Sequence, residues 1–211
     1  MSVKPIRNII FDLGGVILNI DPQLTVDALR NLGWNNFYEA NNQPMCKELF
    51  YNLEKGSSSP EAFRDNVRHM IASQKDDAEI DHAWTAMILD IPADRVRYLE
   101  ELKKSYRIFL LSNTNEIHRA KFHRDFEADF GYSFYDLFER SFYSHEMGMR
   151  KPNPQIYLRA LNEAGLIPEE TLFIDDMEEN IAVAKTTGMK VLHIQAGTLM
   201  ESLPNYLEEM G

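Results

Sequence analysis

The chain has 211 residues, with 33 Asp plus Glu against 22 Lys plus Arg, a formal charge of −11 and 44% hydrophobic side chains. That charge argues against nucleic acid or anionic membrane as partners, because both are polyanions and need a basic face. The single Cys46 excludes an internal disulfide and any multi-cysteine metal site, and suits a reducing, cytoplasmic setting.

Lys4 and Arg7 precede an apolar stretch, but Asn8 and Asp12 interrupt it and no small-residue cleavage pattern follows, so no signal peptide is expected. No run approaches the roughly 18 apolar residues of a membrane helix. Ile9 to Phe11 reads as a buried strand that delivers Asp12 to a Gly14-Gly15 turn. From Asp21 to about Asp90 the pattern is helical. Asp21 as N-cap, Pro22 behind it and Gly33 as the stop bound a first helix, with Leu24, Ala28 and Leu32 as its apolar face. A second helix carries Met45, Leu49, Phe50 and Leu53 before Gly56. A third opens at Ser59-Pro60, with Phe63, Val67, Met70 and Ile71 at helical spacing, and a fourth covers about Asp77 to Ile88. Trp34, Phe37, Tyr38 and Trp84 are expected in the core of this lobe.

After Pro92 the pattern alternates. A helix runs to Lys104, a strand covers Ile108 to Leu111, and a Ser112-Asn113-Thr114-Asn115 turn opens another helix. A strand near Phe142, a helix from Pro152 to Ala164, a strand at Leu172 to Ile174, a helix to Thr187, a strand at Val191 to Ile194 and a last helix follow. Strands alternating with helices imply right-handed crossovers and a parallel sheet covered on both faces. The expected fold is therefore α/β, a doubly wound parallel sheet with an inserted all-helical cap: residues 1–18 and 91–211 form the sheet domain and 19–90 the cap.

Ligands of open α/β sheets bind beyond the carboxyl ends of the strands. Asp12-Leu13-Gly14-Gly15, Ser112-Asn113 and Asp175-Asp176 all stand at such ends, and Lys151 lies in a turn that opens a helix. Three converging carboxylates repel one another unless a cation, a lysine or a proton intervenes. Hard oxygen donors suit Mg²⁺, and lysine, hydroxyl and amide donors beside it suit a phosphate. Phosphoryl transfer is the reaction class that uses all of these parts.

Four segments in order, FDLGGVIL, LLSNTN, GMRKPNPQIY and FIDDMEEN, resemble the four motifs of the haloacid dehalogenase (HAD) superfamily, within its phosphatase-rich group with a helical cap. The overall pattern is similar to bacterial sugar-phosphate phosphatases of the glucose-1-phosphatase type and to the N-terminal phosphatase domain of soluble epoxide hydrolases. The resemblance implies a Rossmann-like core and an Mg²⁺-dependent phosphatase acting on a small phosphorylated metabolite such as a sugar phosphate, as a monomer or homodimer. It further implies that Asp12 is the nucleophile that becomes an aspartyl-phosphate, that Lys151 balances charge beside it, and that Ser112 and Asn113 bind the phosphoryl oxygens. Asp12, Asp176 and the carbonyl of Gly14 would hold the metal, with Asp175 and Asn180 in or next to its coordination shell.

One position departs from the pattern. The family's phosphatases carry a second aspartate two residues after the nucleophile, which protonates the leaving oxygen; here Gly14 stands there. That points to a slow or leaving-group-selective phosphatase. The alternatives are an impaired phosphate-binding or interaction protein, a 2-haloacid dehalogenase, or a phosphomutase. Asp21, Glu54 and Lys55 are candidate substrate contacts near the hinge of the cap, whereas His118, His123 and His145 read as structural or solvated.

Overall fold

The computed structural model describes residues 4–35, 37 and 44–210. Five strands, β1 (Asn8–Phe11), β2 (Arg107–Ser112), β3 (Arg140–Tyr143), β4 (Thr171–Asp175) and β5 (Lys190–His193), pair in the order β3-β2-β1-β4-β5. All four pairings are parallel, and β1 is the centre of the sheet, with Ile10 opposite Phe109 on one side and Phe173 on the other. The β1 and β4 strands are buried along their whole length, which explains their unbroken apolar sequences.

Side chains alternate across the sheet because the strand period is two. Ile9, Phe11, Leu110 and Ile174 face one layer, with Phe122 and Phe126 packed among them. Ile10, Phe109, Leu111 and Phe173 face the other, against Ile156, Tyr157 and Ala184. The covering helices are α5 (Ala93–Leu102), α6 (Glu116–Phe130), the short α7 (Ser144–Met147), α8 (Pro154–Glu163), α9 (Glu178–Thr186) and α10 (Leu199–Met210).

Between β1 and α5 lies the helical insert: α1 (Pro22–Asn31), α2 (Pro44–Glu54), α3 (Pro60–Ile71) and α4 (Asp77–Trp84). Its start signals act as expected. The carboxylate of Asp21 accepts from Gln23 N, the hydroxyl of Ser59 accepts from Ala62 N, and Asp76 forms a reciprocal capping box with Glu79; such caps contribute roughly 0.5–2 kcal/mol each. Leu29, Trp34, Phe37, Leu53, Phe63, Val67, Ile80 and Trp84 form a separate apolar cluster, which Ile117 of α6 joins. Both connections to the insert run side by side. Asn19 N donates to Asp90 O at 3.0 Å, Leu89 N to Asn19 O at 3.1 Å and Asp21 N to Met87 O at 3.0 Å, with Ile20 and Ile88 in an antiparallel bridge.

Two expectations for the insert need correction. Leu24 is 41% exposed, whereas Ala28 and Leu32 pack against the insert's core as expected and α1 also buries Thr25 and Leu29. Thr25 donates its hydroxyl to the Trp84 carbonyl at 2.9 Å, so a polar residue joins the inner face. The fourth helix ends at Trp84 and tightens into a 3₁₀ turn, Thr85–Met87, before the hinge. Tyr38 and the side chain of Met45 lie outside the described residues.

Candidate active site

Parallel pairing brings the strand ends to one edge, and the backbone then fixes where each side chain starts. Asp12 follows β1 directly, with its amide donating to Ile174 O at 2.9 Å. The β2 strand ends on Ser112, 3% exposed, and the next turn is closed by Asn115, whose side chain caps α6. The β4 strand ends on Asp175, which is fully buried. Lys151 precedes α8 and reaches back under the edge, 1% exposed.

Lys151 Nζ donates to Asp12 Oδ1 at 2.7 Å and to Asp175 Oδ2 at 2.6 Å. Its backbone is gripped as tightly as its tip. Asn113 Nδ2 donates to Lys151 O at 2.9 Å while Lys151 N donates to Asn113 Oδ1 at 2.8 Å. Asp175 is held in turn by Asn180 Nδ2, 3.0 Å from both its oxygens, and by Met177 N at 2.8 Å. Tyr157 donates its hydroxyl to Asn180 O at 3.1 Å and closes the network from below. On the β2 side, Ser144 Oγ accepts from Thr114 N and donates to Thr114 O, both at 2.9 Å, which fixes the turn after Asn113.

Carboxylate oxygens of Asp12, Asp175 and Asp176 lie within 4.8 Å of one another. Three acids against one lysine leave an excess of negative charge in a buried place, and the electrostatics respond. Burial pushes the Asp12 carboxyl upward, with Lys151 opposing and Asp175 adding to the rise. Burial and then Asp175 push Asp176 upward too. Burial alone would lower Lys151, but Asp12 and Asp175 raise it, so the proton stays on the lysine. A hard divalent cation fits this donor set and would relieve the remaining repulsion.

The two adjacent glycines play different parts. Gly15 has φ +78°, and a Cβ there would stand 2.4 Å from Asp176 Oδ2, so only glycine leaves room for that carboxylate. At Gly14 a Cβ would meet only the flexible end of Ile20, at 3.2 Å.

Asp12, Gly14, Ser112, Asn113, Lys151, Asp175, Asp176 and Asn180 thus all fall at this edge, with Asp175 engaged by Lys151 and Asn180. The candidate substrate contacts fare differently. Asp21 uses its carboxylate as the cap of α1, and Glu54 accepts from Arg150 Nε at 2.7 Å; Lys55 is partly buried. His118 Nε2 lies 3.1 Å from Trp84 O, His123 Nε2 lies 2.9 Å from Tyr143 OH and His145 Nδ1 lies 3.2 Å from Thr114 O, all structural contacts. Sequence reading missed Tyr157, Ser144 and Arg150; of these only Arg150, beside Lys151, carried a signal. A cleft of about 730 Å³ lies elsewhere, between α3, α4 and α6, with Arg64, Asp81, Glu116 and Lys121 in its wall and none of the clustered carboxylates.

Residues 6–188 match the family described as haloacid dehalogenase-like hydrolase. A D-ribitol-5-phosphate phosphatase of Bacteroides thetaiotaomicron is 30% identical over 193 residues, covering 91% of this chain and 93% of that protein. The sesquiterpene phosphatase astK of Aspergillus oryzae is 30% identical over 191 residues, 88% of each. A crystal structure of a HAD family enzyme from Bacteroides thetaiotaomicron, in a magnesium complex, superposes with a TM-score of 0.89 at 35% identity, covering 95% of this chain and 98% of that one.

Proposed function

The chain belongs to the haloacid dehalogenase-like hydrolases, and on that premise we propose that it is an Mg²⁺-dependent phosphatase of a small phosphorylated metabolite, of the sugar- or polyol-phosphate class, working through an aspartyl-phosphate on Asp12. The observation that carries this reading is the single buried lysine shared by Asp12 and Asp175 at the sheet edge, with Asp176 alongside. The phosphatase relatives, one of them named for D-ribitol 5-phosphate, support the substrate class.

In this reading a carboxylate oxygen of Asp12 attacks phosphorus and the bond to the ester oxygen breaks, the leaving oxygen taking its proton from water. Lys151 steadies the nucleophile and offsets the negative charge that gathers as the phosphoryl group transfers. Ser112 would offer its hydroxyl to the phosphoryl oxygens and Asn113, whose side-chain amide is engaged with Lys151, its main-chain N–H. Water then opens the acyl phosphate, releasing inorganic phosphate and restoring Asp12. Asp12, Asp176 and the Gly14 carbonyl would hold Mg²⁺, which would supply charge neutralisation at the phosphoryl group.

Gly14 offers no proton to the leaving oxygen. General acid catalysis is typically worth 10²- to 10⁴-fold, so aryl, acyl and anomeric phosphates, whose oxygens leave readily, are expected to be favoured over alkyl phosphates. The test is phosphate release from a panel of these esters, with and without Mg²⁺, beside Asp12→Asn. Metal-dependent turnover that vanishes in Asp12→Asn supports the reading. Tight Mg²⁺ and phosphate binding with no turnover on any ester would instead favour the impaired binding protein, a reading that rests on the same missing acid.

A further inference from the structure

Glu54 ends α2, in the insert, and Arg150 immediately precedes Lys151. The pair they form, Arg150 Nε to Glu54 Oε2 at 2.7 Å, is the only ion pair among the described residues that joins the insert to the sheet half. Both side chains are about three-quarters buried, at 24% and 25% exposed. The guanidinium also lies over the ring of Tyr51, 4.1 Å from its centroid, so a second residue of α2 holds it from its face.

The backbone next to this pair is equally close. Gly56 has φ +66°, and a Cβ there would stand 2.1 Å from the carbonyl oxygen of His145 in α7. Tyr51, Glu54 and Gly56 therefore seat one end of the insert on a continuous stretch from His145 to Arg150. That stretch leads straight into Lys151, whose backbone Asn113 clamps. Burial raises the Glu54 carboxyl, while the charges of Arg150 and, more weakly, Lys151 lower it, so this carboxylate lies in the field of the lysine at the sheet edge.

We propose that Glu54 and Arg150 are positioning residues: their contact seats the insert on the Lys151 loop, and so helps to hold the site closed around a bound ester. The role follows from the connectivity. One dipeptide carries both the docking cation, Arg150, and the ammonium group shared by Asp12 and Asp175. A substrate that touches both halves gains from a seat already made, whereas one too small to reach the insert gains little. The proposal rests on the phosphatase reading of Asp12 and Lys151, but its decisive readout does not need turnover.

The test compares wild type, Glu54→Gln, Arg150→Lys and the Glu54→Gln/Arg150→Lys double variant in two measurements. The first is amide hydrogen exchange with Mg²⁺ and orthovanadate present. Exchange is expected to quicken about tenfold, the scale of a coupled pair, in residues 55–59 and 148–151 together, with the β1 and β4 amides unchanged. The second is steady-state kinetics. KM for a sugar phosphate is expected to rise about tenfold with kcat within about twofold, whereas acetyl phosphate is little affected. The double variant is expected to be no worse than either single one, because each residue acts through the other. Arg150→Lys is not expected to preserve the seat, because lysine lacks the planar group that meets both Glu54 and Tyr51.

Gly56→Ala disturbs the same seat without altering charge and is expected to loosen the same two segments. Unchanged exchange in both segments of Glu54→Gln would overturn the proposal. So would acceleration spread through the whole chain, which would reduce Glu54 to general stability. Absence of turnover in the wild type would defeat the phosphatase reading, and the exchange experiment would still decide whether the seat exists.

Discussion

The sheet edge and the helical insert are built on opposite terms. At the edge the central side chains are held by buried partners: Lys151 is locked by two carboxylates and by the amide of Asn113, and Asp175 by Asn180 and Met177. The insert has an apolar core of its own and meets the sheet half through a short hinge, the Trp84–His118 contact, the close approach of Gly56 to His145 and the largely buried Glu54–Arg150 pair. Ion pairs taken this far out of water contribute little net stability, because desolvation offsets much of the attraction. On the proposed phosphatase reading the difference separates precision from selection: groups that need placement to a fraction of an ångström sit on rigid strand ends, and the part that would meet varied leaving groups is the one attached through fewer contacts.

Four experiments can break or sharpen that contrast. The largest effect is expected from Asp12→Asn, which should lower phosphate release by roughly 10⁴-fold or more while leaving the circular dichroism spectrum intact; residual turnover near wild type would remove Asp12 from the chemistry.

Next is the seam between the regions, read through pH. Burial lowers His118 from 6.5 to about 4. Above pH 6.5 the ring is neutral both folded and unfolded; as pH falls from about 6.5 to 4 the unfolded chain takes up the proton first, so stability is lost across that window. The loss is expected to be up to roughly 3 kcal/mol, and urea unfolding of His118→Gln should show a correspondingly flatter dependence. His123, also lowered to about 4, adds a smaller slope of the same sign because it is less buried.

Gly14→Asp comes third. A Cβ there meets only Ile20, at 3.2 Å, and the variant should speed alkyl phosphates by about 10²-fold and aryl phosphates much less. Equal gains for both would count against a missing acid as the cause of selectivity. The smallest effect expected is on metal affinity: Gly15→Ala should weaken Mg²⁺ binding by about tenfold, by calorimetric titration, through displacement of Asp176, whereas Gly14→Ala should leave it near wild type.

How much of this was legible follows the same division. Asp12, Ser112 and Asp175 could be placed from sequence because a short apolar run fixes a strand, and the strand end fixes the edge. Lys151 was legible as a turn residue before Pro152, but its two partners arise from β1 and β4, far away in the chain. On the inward face of α1, Ala28 and Leu32 were legible but Thr25 was not, because hydrophobicity cannot reveal that its hydroxyl would satisfy the Trp84 carbonyl. Glu54 reads from sequence as a candidate substrate contact; its partner Arg150 is 96 residues away, and no periodicity links them. Gly15 showed a turn, yet its stricter demand, space for Asp176, exists only after folding.

The paired connections at Asn19–Asp21 and Met87–Asp90 bear on the order in which the chain assembles. The two strands at the heart of the sheet, β1 and β2, are neighbours in space but are separated in sequence by the entire insert. Long separations slow folding because closure entropy is spent before contacts return it. Once the two connections zip together, that long detour collapses into a short loop, and β2 arrives beside β1 as though the intervening helices were absent. The hinge is thus also a folding shortcut, and weakening it should slow refolding more than it hastens unfolding.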